Sequence, residues 1–335
     1  MVDLSYLNNK TILITGGSGS IGSHLVKALL NTNCNSIRVL SNNEHELYLL
    51  QRKYSQNKKL RYLLGDVRDK DRLEIAVRGV DIVFHAAALK HVPLCESNPF
   101  DAIQTNVIGT QNMIEASITA DVEKFVFIST DKAANPLSTL GATKLLAERL
   151  AIAAMSYRGT SRTIMYSVRF GNVLGTRGSV VELFYNQIKN NKPVTITDKN
   201  MTRFTMTPTQ AVELILSTVE RAKGGEVFVL KMNVMKIVDL VKAMIELYSS
   251  DKQHKIIDIG IREGEKMHEE LITEEEVGRA REWDNMYVIP PYGSTTYDHL
   301  PKLQTSYSSK SVDPINVEQI KNDVKNFQLD GFALE

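Results

Sequence analysis

Residues 11–22 read TILITGGSGSIG, and the reading of the whole chain starts from them. Thr11–Thr15 is a short apolar run with β-branched residues, the pattern of a buried strand. It runs into Gly16-Gly17-Ser18-Gly19-Ser20-Ile21-Gly22, and an apolar-periodic stretch, Ile21–Leu30, follows as a helix. Gly17, Gly19 and Gly22 make a G-x-G-x-x-G pattern at a strand–turn–helix junction. There the glycines allow a tight turn, close backbone approach to a pyrophosphate, and close packing of helix on sheet. The free N–H groups at the helix start face the phosphates. A glycine turn without a ligand is the competing reading, and the strand before it and helix after it argue against that.

Working outward, further strand-like runs fall at Ser36–Leu40, Arg61–Leu64, Asp81–Ala86, Lys124–Ser129 and Thr163–Arg169. They are continuous apolar runs, as a parallel sheet covered on both faces requires. Between them lie helical stretches at Pro99–Ala120 and Gly141–Met155. In the second, Ala142, Leu145, Leu146, Leu150 and Ala153 recur at helical spacing. The alternation predicts an α/β fold with a doubly wound parallel sheet. After Gly175 the pattern changes. Helices are expected near Val180–Lys189, Pro208–Ala222 and Ile237–Tyr248, a strand at Lys255–Ile259, and an extended polar piece over Lys192–Thr207. Tyr292–Asp313 is rich in Ser and Thr and reads as an irregular loop that could close over a ligand.

Of 335 residues, 40 are Lys or Arg and 39 Asp or Glu, a net charge of +1. A general nucleic-acid binder needs a basic surplus, so that class is excluded. No apolar run approaches the roughly 18 residues of a membrane span. The opening MVDLSYLNNK lacks the features of a secretory signal, and the expected compartment is the cytoplasm. Cys34 and Cys95 cannot build a disulfide framework and suit a reducing compartment.

Two strand ends carry chemistry. The end of the second strand, Ser41-Asn42-Asn43-Glu44, is where a ribose contact belongs, yet it offers neither a strand-end acid nor an Arg. Asp66, after the third strand, fits either the adenine edge or a helix cap or turn. Ser129-Thr130-Asp131-Lys132 closes the fifth strand, at the rim where open α/β sheets hold ligands; alone, it also fits a solvated turn. Lys144 lies on the first turn of the following helix, off its apolar stripe, and also fits a surface lysine. Asn172 and Arg177 follow the sixth strand. His85, His91 and His268 make no metal spacing; His268 reads as structural, on an amphipathic helix. Trp283, Tyr287 and Tyr292 read as packing residues or part of the closing tail.

These motifs resemble those of the extended short-chain dehydrogenase/reductases. Within them HAAALKHVPLCE (85–96), STDKAANP (129–136), GATK (141–144), RFGNVLGTRGSVV (169–181), ITDKNMTRFTMT (196–207) and GIREGEKMHEELI (260–272) are similar to the C5-inverting UDP-N-acetylglucosamine 4,6-dehydratases, over about Leu4 to Ile272. The resemblance implies a Rossmann domain over 1–175 with a return segment near 205–230. It assigns 176–204 and 231–335 to a nucleotide-sugar lobe and polar tail. It implies an enzyme of surface-glycan synthesis that moves hydride from sugar C4 to the cofactor and back to C6 while water leaves across C5–C6. The cofactor would be NADP, with NAD close behind, tightly bound and recycled, on Gly16, Gly19, Ser20, Ile21, Gly22, Ser41, Asn42, Asp66, Val67, Ala86, Ala87 and Lys144. Asp131 would be the acid at C6, Lys132 the base at C5, Thr130 a partner of the C4 oxygen, and Lys144 the holder of the nicotinamide ribose. UDP-N-acetylglucosamine would meet Lys90, Thr130, Asn172, Val180, Thr195, Arg203, Arg262 and Glu265, the two guanidiniums being suited to the diphosphate. A homo-oligomer, a hexamer in relatives, is implied as well.

The sequence departs from the family in two places. The usual tyrosine four residues before the helix lysine is Leu140, which cannot carry a proton; some members have methionine there and remain dehydratases. Thr130, Asp131, or Lys144 through a water then stand as candidates for the C4 proton. Asn42 and Glu46 replace an Arg and a Lys, weakening the grip on a 2′-phosphate. A nucleotide-sugar 4-epimerase and a non-catalytic cofactor-binding protein are the rival readings. The Asp-Lys pair without the tyrosine favours dehydration over the first, and Leu140 alone supports the second.

Overall fold

The computed structural model describes residues 3–249 and 254–329. Strands β1 (Thr11–Thr15), β2 (Ser36–Ser41), β3 (Leu60–Leu64), β4 (Ile82–His85), β5 (Lys124–Ile128) and β6 (Ile164–Arg169) alternate with helices α1 (Ser20–Leu30), α2 (Glu44–Lys53), α3 (Lys70–Ala76), α4 (Val92–Ser97), α5 (Pro99–Ala102), α6 (Gly109–Thr119) and α7 (Thr139–Tyr157). All six strands pair in parallel. The sheet continues with β10 (Val227–Leu230), parallel to β6, and two antiparallel strands, β14 (Arg281–Trp283) and β15 (Met286–Ile289). Its order is β14-β15-β10-β6-β5-β4-β1-β2-β3, so β1 is an interior strand and the connections reverse between it and β4. That reversal opens a crevice at the strand ends. The expected α/β doubly wound sheet is therefore present. Residues 281–289 return to it from within the segment assigned above to the second lobe.

The second lobe is built from β7 (Asn172–Val173), α8 (Val180–Lys189), β8 (Val194–Ile196), β9 (Thr202–Met206), β11 (Asn233–Lys236), α10 (Ile237–Tyr248) and β12 (Ile256–Asp258), while α9 (Pro208–Arg221) packs on α1. Its core gathers Phe184, Ile188, Val194, Leu240, Val241 and Met244. β13 (Glu270–Ile272) pairs antiparallel with β16 (Tyr307–Ser308).

Four expectations need correction. The polar piece 192–207 holds two buried strands, because Phe204 and Met206 join the core and Thr202 and Arg203 find tertiary partners. The helical stretch 99–120 contains a π-helical segment, Ile103–Ile108. There the Asn106 side chain bonds Leu89 N (2.8 Å), Leu89 O and Thr143 Oγ1, pinning the loop after β4. His268 lies on no helix: it sits in the turn-rich segment before β13, with Nδ1 2.7 Å from Thr202 Oγ1. Finally, no residue of Tyr292–Asp313 lines the crevice. That tail is drawn to another face, where the Tyr297 hydroxyl donates to Glu226 and the Tyr307 hydroxyl bridges Met232 N and O. Trp283 and Tyr287 do pack, against Tyr297 and Tyr307, whereas Tyr292 is exposed.

Candidate active site

A cleft of about 1060 Å³ runs along the strand ends between the lobes. This is the upper end of ordinary ligand sites, room for a dinucleotide and a second nucleotide ligand end to end. Its floor is the glycine loop. Gly16 has φ +62° and lies against Ala86 and Ala87; a Cβ there would stand 2.8 Å from the Ala87 backbone. A Cβ on Gly22 would stand 2.4 Å from Gly16 O. The loop therefore tolerates no side chains at these points and leaves a backbone cradle. No side chain caps the start of α1 at Gly19, so its first amides are directed at whatever occupies the cradle. These features fit the pyrophosphate of a dinucleotide.

Around the cradle, Ser18 Oγ donates to Ser41 Oγ (2.7 Å), coupling the loop to the end of β2. Asn42, Asn43 and Glu46 line the wall beyond. Asp69, not Asp66, caps α3. The Asp66 carboxylate accepts from Arg68 and from Asn42 Nδ2 (3.0 Å), and the Arg68 contacts are the main cause of its fall to a pKa of about 2. Gly65, Val67 and Arg68 face the cleft beside it. A strap closes over this end. Arg177 donates from Nη2 to Ser18 O (2.5 Å), its amide reaches Ser20 Oγ, its guanidinium pairs with Glu46, and its carbonyl accepts from Lys90 Nζ. The pairing of Glu46 with Arg177 has no signal in the sequence, because 131 residues separate the partners.

At the middle of the cleft Lys144 is not a surface lysine. It is buried, donates from Nζ to Ile128 O (2.7 Å) and stands 4.5 Å over the Phe127 ring. Burial pulls its pKa down to about 8. Leu140 lines the cleft a turn earlier and buries against Cys95 and Ala102, so an apolar side chain fills the family's tyrosine position. Thr130 follows: its Oγ1 caps the short turn Asp131–Ala133 and donates to Asp131 Oδ1 (2.9 Å).

Lys132 Nζ lies 3.1 Å from Asp131 Oδ1 and 3.8 Å from Glu269 Oε1. Burial would lower the ammonium's pKa, but Asp131 and then Glu269 outweigh it and hold Lys132 above its ordinary value. Asp131 is fully buried behind Lys132 and Thr130 and does not itself line the cleft. Arg203, Glu265, Lys266 and Glu269 complete this end, with Arg203 Nη2 3.3 Å from Glu265 Oε1. Arg262, Asn172, Val180 and Lys90 also line the cleft. Thr195 does not: its hydroxyl accepts from Gln187 Nε2 (2.9 Å) of α8. Among the described residues no group of His, Cys, Asp and Glu could hold a metal ion, and no helix is long and apolar enough to cross a membrane.

Residues 12–291 match a family model described as "polysaccharide biosynthesis protein". An "uncharacterized membrane protein MJ1061" of Methanocaldococcus jannaschii is 50% identical over 96% of this chain and 97% of its own. A UDP-N-acetylglucosamine 4,6-dehydratase (inverting) of Campylobacter jejuni is 44% identical over 85% of this chain and 84% of its own. A protein of Rickettsia felis named UDP-glucose 4-epimerase is 38% identical over 93% and 94%. The X-ray structure of Pen from Bacillus thuringiensis superposes with TM-score 0.90 at 43% identity, covering 96% of this chain and 98% of that one.

Proposed function

This chain belongs to the polysaccharide biosynthesis protein family, among its nucleotide-sugar dehydratases and epimerases, and on that premise we propose that it dehydrates UDP-N-acetylglucosamine to the 4-keto-6-deoxy sugar with inversion at C5. The observation that carries the reading is the Asp131–Lys132 pair at the sheet rim, with Lys132 lining the same cleft as the glycine cradle and Asp131 buried directly behind it. Removing water from a sugar needs a base for C5–H and an acid for the C6 oxygen in one place; a buried carboxyl touching an amine meets that need.

The Gly16–Gly22 cradle would hold a nicotinamide dinucleotide, which when bound would supply the two-electron exchange at C4 and C6. The chain's own residues do the rest. Gly16–Gly22 and the Arg177 strap hold the cofactor in place through the cycle. Asn42 and Glu46 line the wall where a ribose 2′ group would sit, with Arg68 and Arg177 each already paired to a carboxylate; equilibrium binding of NADP against NAD reads out that choice. Lys144, drawn down toward neutrality, takes up the C4 hydroxyl proton through a bridging water in place of the missing tyrosine, while Thr130 holds the C4 oxygen. Lys132 takes the C5 proton and Asp131 protonates the departing C6 oxygen. Arg203 and Arg262 grip the diphosphate, and Glu265 sits at the uridine end.

The Rickettsia relative keeps a 4-epimerase as the second reading. An epimerase has no use for a base at C5, and Leu140 removes the hydroxyl on which its C4 chemistry rests. Incubation with UDP-N-acetylglucosamine followed by mass spectrometry separates the two. Loss of one water supports dehydration; an isomer of unchanged mass supports epimerisation and overturns the proposal.

A further inference from the structure

Glu269 stands at the cleft beside Lys132, and nothing in the role assignments above uses it. Its Oε1 is 3.8 Å from Lys132 Nζ and 3.8 Å from Arg203 Nε; Oε2 is 4.0 Å from Lys266 Nζ and has no hydrogen-bond partner. Its backbone, by contrast, is fixed. The amide donates to Ser309 Oγ (2.9 Å), and the carbonyl accepts from Ser309 N (2.8 Å) and Ser308 Oγ. A pinned backbone thus presents a loosely held, almost fully buried carboxyl to the cleft. Such unpartnered buried oxygens are costly and call for an explanation.

The geometry supplies one. Lys132 Nζ lies between two carboxyls, Asp131 behind it and Glu269 in front, and of the two only Glu269 lines the cleft. Where Lys132 stands, it covers Asp131 Oδ1. Moving the amine toward Glu269 brings it into the cleft and uncovers the acid behind it. We propose that Glu269 is a positioning residue for the proton step at sugar C5, drawing the Lys132 amine off Asp131 so that base and acid both face the sugar. This rests on the dehydratase reading. Burial raises the proton affinity of Glu269, because a charged carboxylate is disfavoured away from water.

The proton count balances. Lys132 starts as an ammonium and Asp131 as a carboxylate. One N–H proton passes to Asp131, leaving a neutral amine and a carboxylic acid. The amine then takes the C5 proton, and the C5–H electron pair becomes the C5=C6 bond as the C6–O bond breaks. The Asp131 proton leaves with that oxygen as water. The pair ends in its starting charge state, and Glu269 neither gains nor loses a proton.

The test is Glu269→Ala, assayed with substrate deuterated at C4 and, separately, at C5. We expect kcat to fall about tenfold or more, with KM within about threefold of wild type. The C5 isotope effect on kcat should rise and the C4 effect shrink toward unity, because the C5 proton step alone has slowed; Glu269→Gln, which keeps an acceptor, should restore part of the rate. Wild-type kcat in the alanine variant overturns the proposal. So does a fall in kcat with both isotope effects unchanged, the mark of a general structural loss. If the alanine variant does not fold, Ser309→Ala frees the Glu269 amide and should shift the same isotope effects less far; no shift there counts against the proposal. Failure of the dehydratase reading shows separately, as wild-type enzyme that releases no water from the substrate.

Discussion

Two buried ionic clusters begin one residue apart at the end of β5, and they are built oppositely. Ser129 Oγ donates to Glu148 Oε2 (2.6 Å), and Glu148 with Glu276 encloses Arg169 at 2.5–3.1 Å, while Arg169 Nη1 also donates to Leu271 O. No oxygen or nitrogen of that triad lacks a partner. Thr130-Asp131-Lys132 starts the second cluster, whose Lys132, Arg203 and Lys266 contacts to Glu269 stretch from 3.8 to 4.0 Å, with Asp131 Oδ2 and Glu269 Oε2 left unpartnered. Both clusters are desolvated, so both carry the cost of burying charge. The first offsets that cost with hydrogen bonds and ties β6 to the β13 region. The second leaves part of it uncompensated, at Asp131 Oδ2 and Glu269 Oε2, which is useful where a ligand completes the set.

If that contrast is right, breaking the open cluster destroys chemistry and spares the fold. Lys132→Ala or Asp131→Asn should lower turnover by about a thousandfold or more, with cofactor still bound and Tm within a few degrees of wild type; a large Tm loss would show that the open cluster is structural after all. Breaking the closed cluster should do the reverse. Arg169→Met leaves two buried carboxylates unpaired and should cost about 3–5 kcal/mol in denaturant unfolding, with catalysis in the surviving folded fraction close to wild type.

A third test sharpens the comparison through pH. Lys144 belongs to neither cluster, and burial lowers its pKa to about 8. The neutral amine is the active form, so kcat/KM should rise with pH through about 8 and level off above it; Lys144→Met should abolish that limb. The sign for stability agrees: between about 8 and the ordinary lysine value the unfolded chain binds a proton that the folded chain does not, so stability rises with pH across that window. The smallest effect is expected at the strap. Glu46→Gln removes a partly exposed partner of Arg177 and should speed cofactor release only about two- to fivefold in stopped-flow dissociation.

What the sequence disclosed, and what it hid, divides along the same line between local and distant partners. TILITGGSGSIG could be read because strand, turn and helix are adjacent and the glycines have steric reasons visible in the residues themselves. Ile237–Tyr248 appears as a helix with the bounds its periodicity gave. The strand at 202–206 was hidden because Thr202, Arg203 and Thr205 look solvent-bound until the chain near 267 and 309 arrives to bond two of them. Likeness of motif places Thr195 in the cleft, yet on β8 its hydroxyl meets Gln187. The polarity of the tail suggests a closing loop, and its buried tyrosines take it elsewhere. For Lys144 the residues alone leave a site lysine and a surface lysine both open, because one helix cannot reveal what packs over its first turn. Glu269, Asn106 and the Glu46–Arg177 pair had no sequence signal beyond being polar, since each acts through a partner far along the chain.

The central claim is that an amine held between two carboxyls handles a proton at sugar C5. The direct measurement is the proton spectrum of the product formed from UDP-N-acetylglucosamine in deuterated water. A 6-deoxy-4-keto sugar carrying solvent deuterium at C5, absent with Lys132→Ala, is the predicted result. A product that keeps its C5 hydrogen and its C6 oxygen contradicts the account.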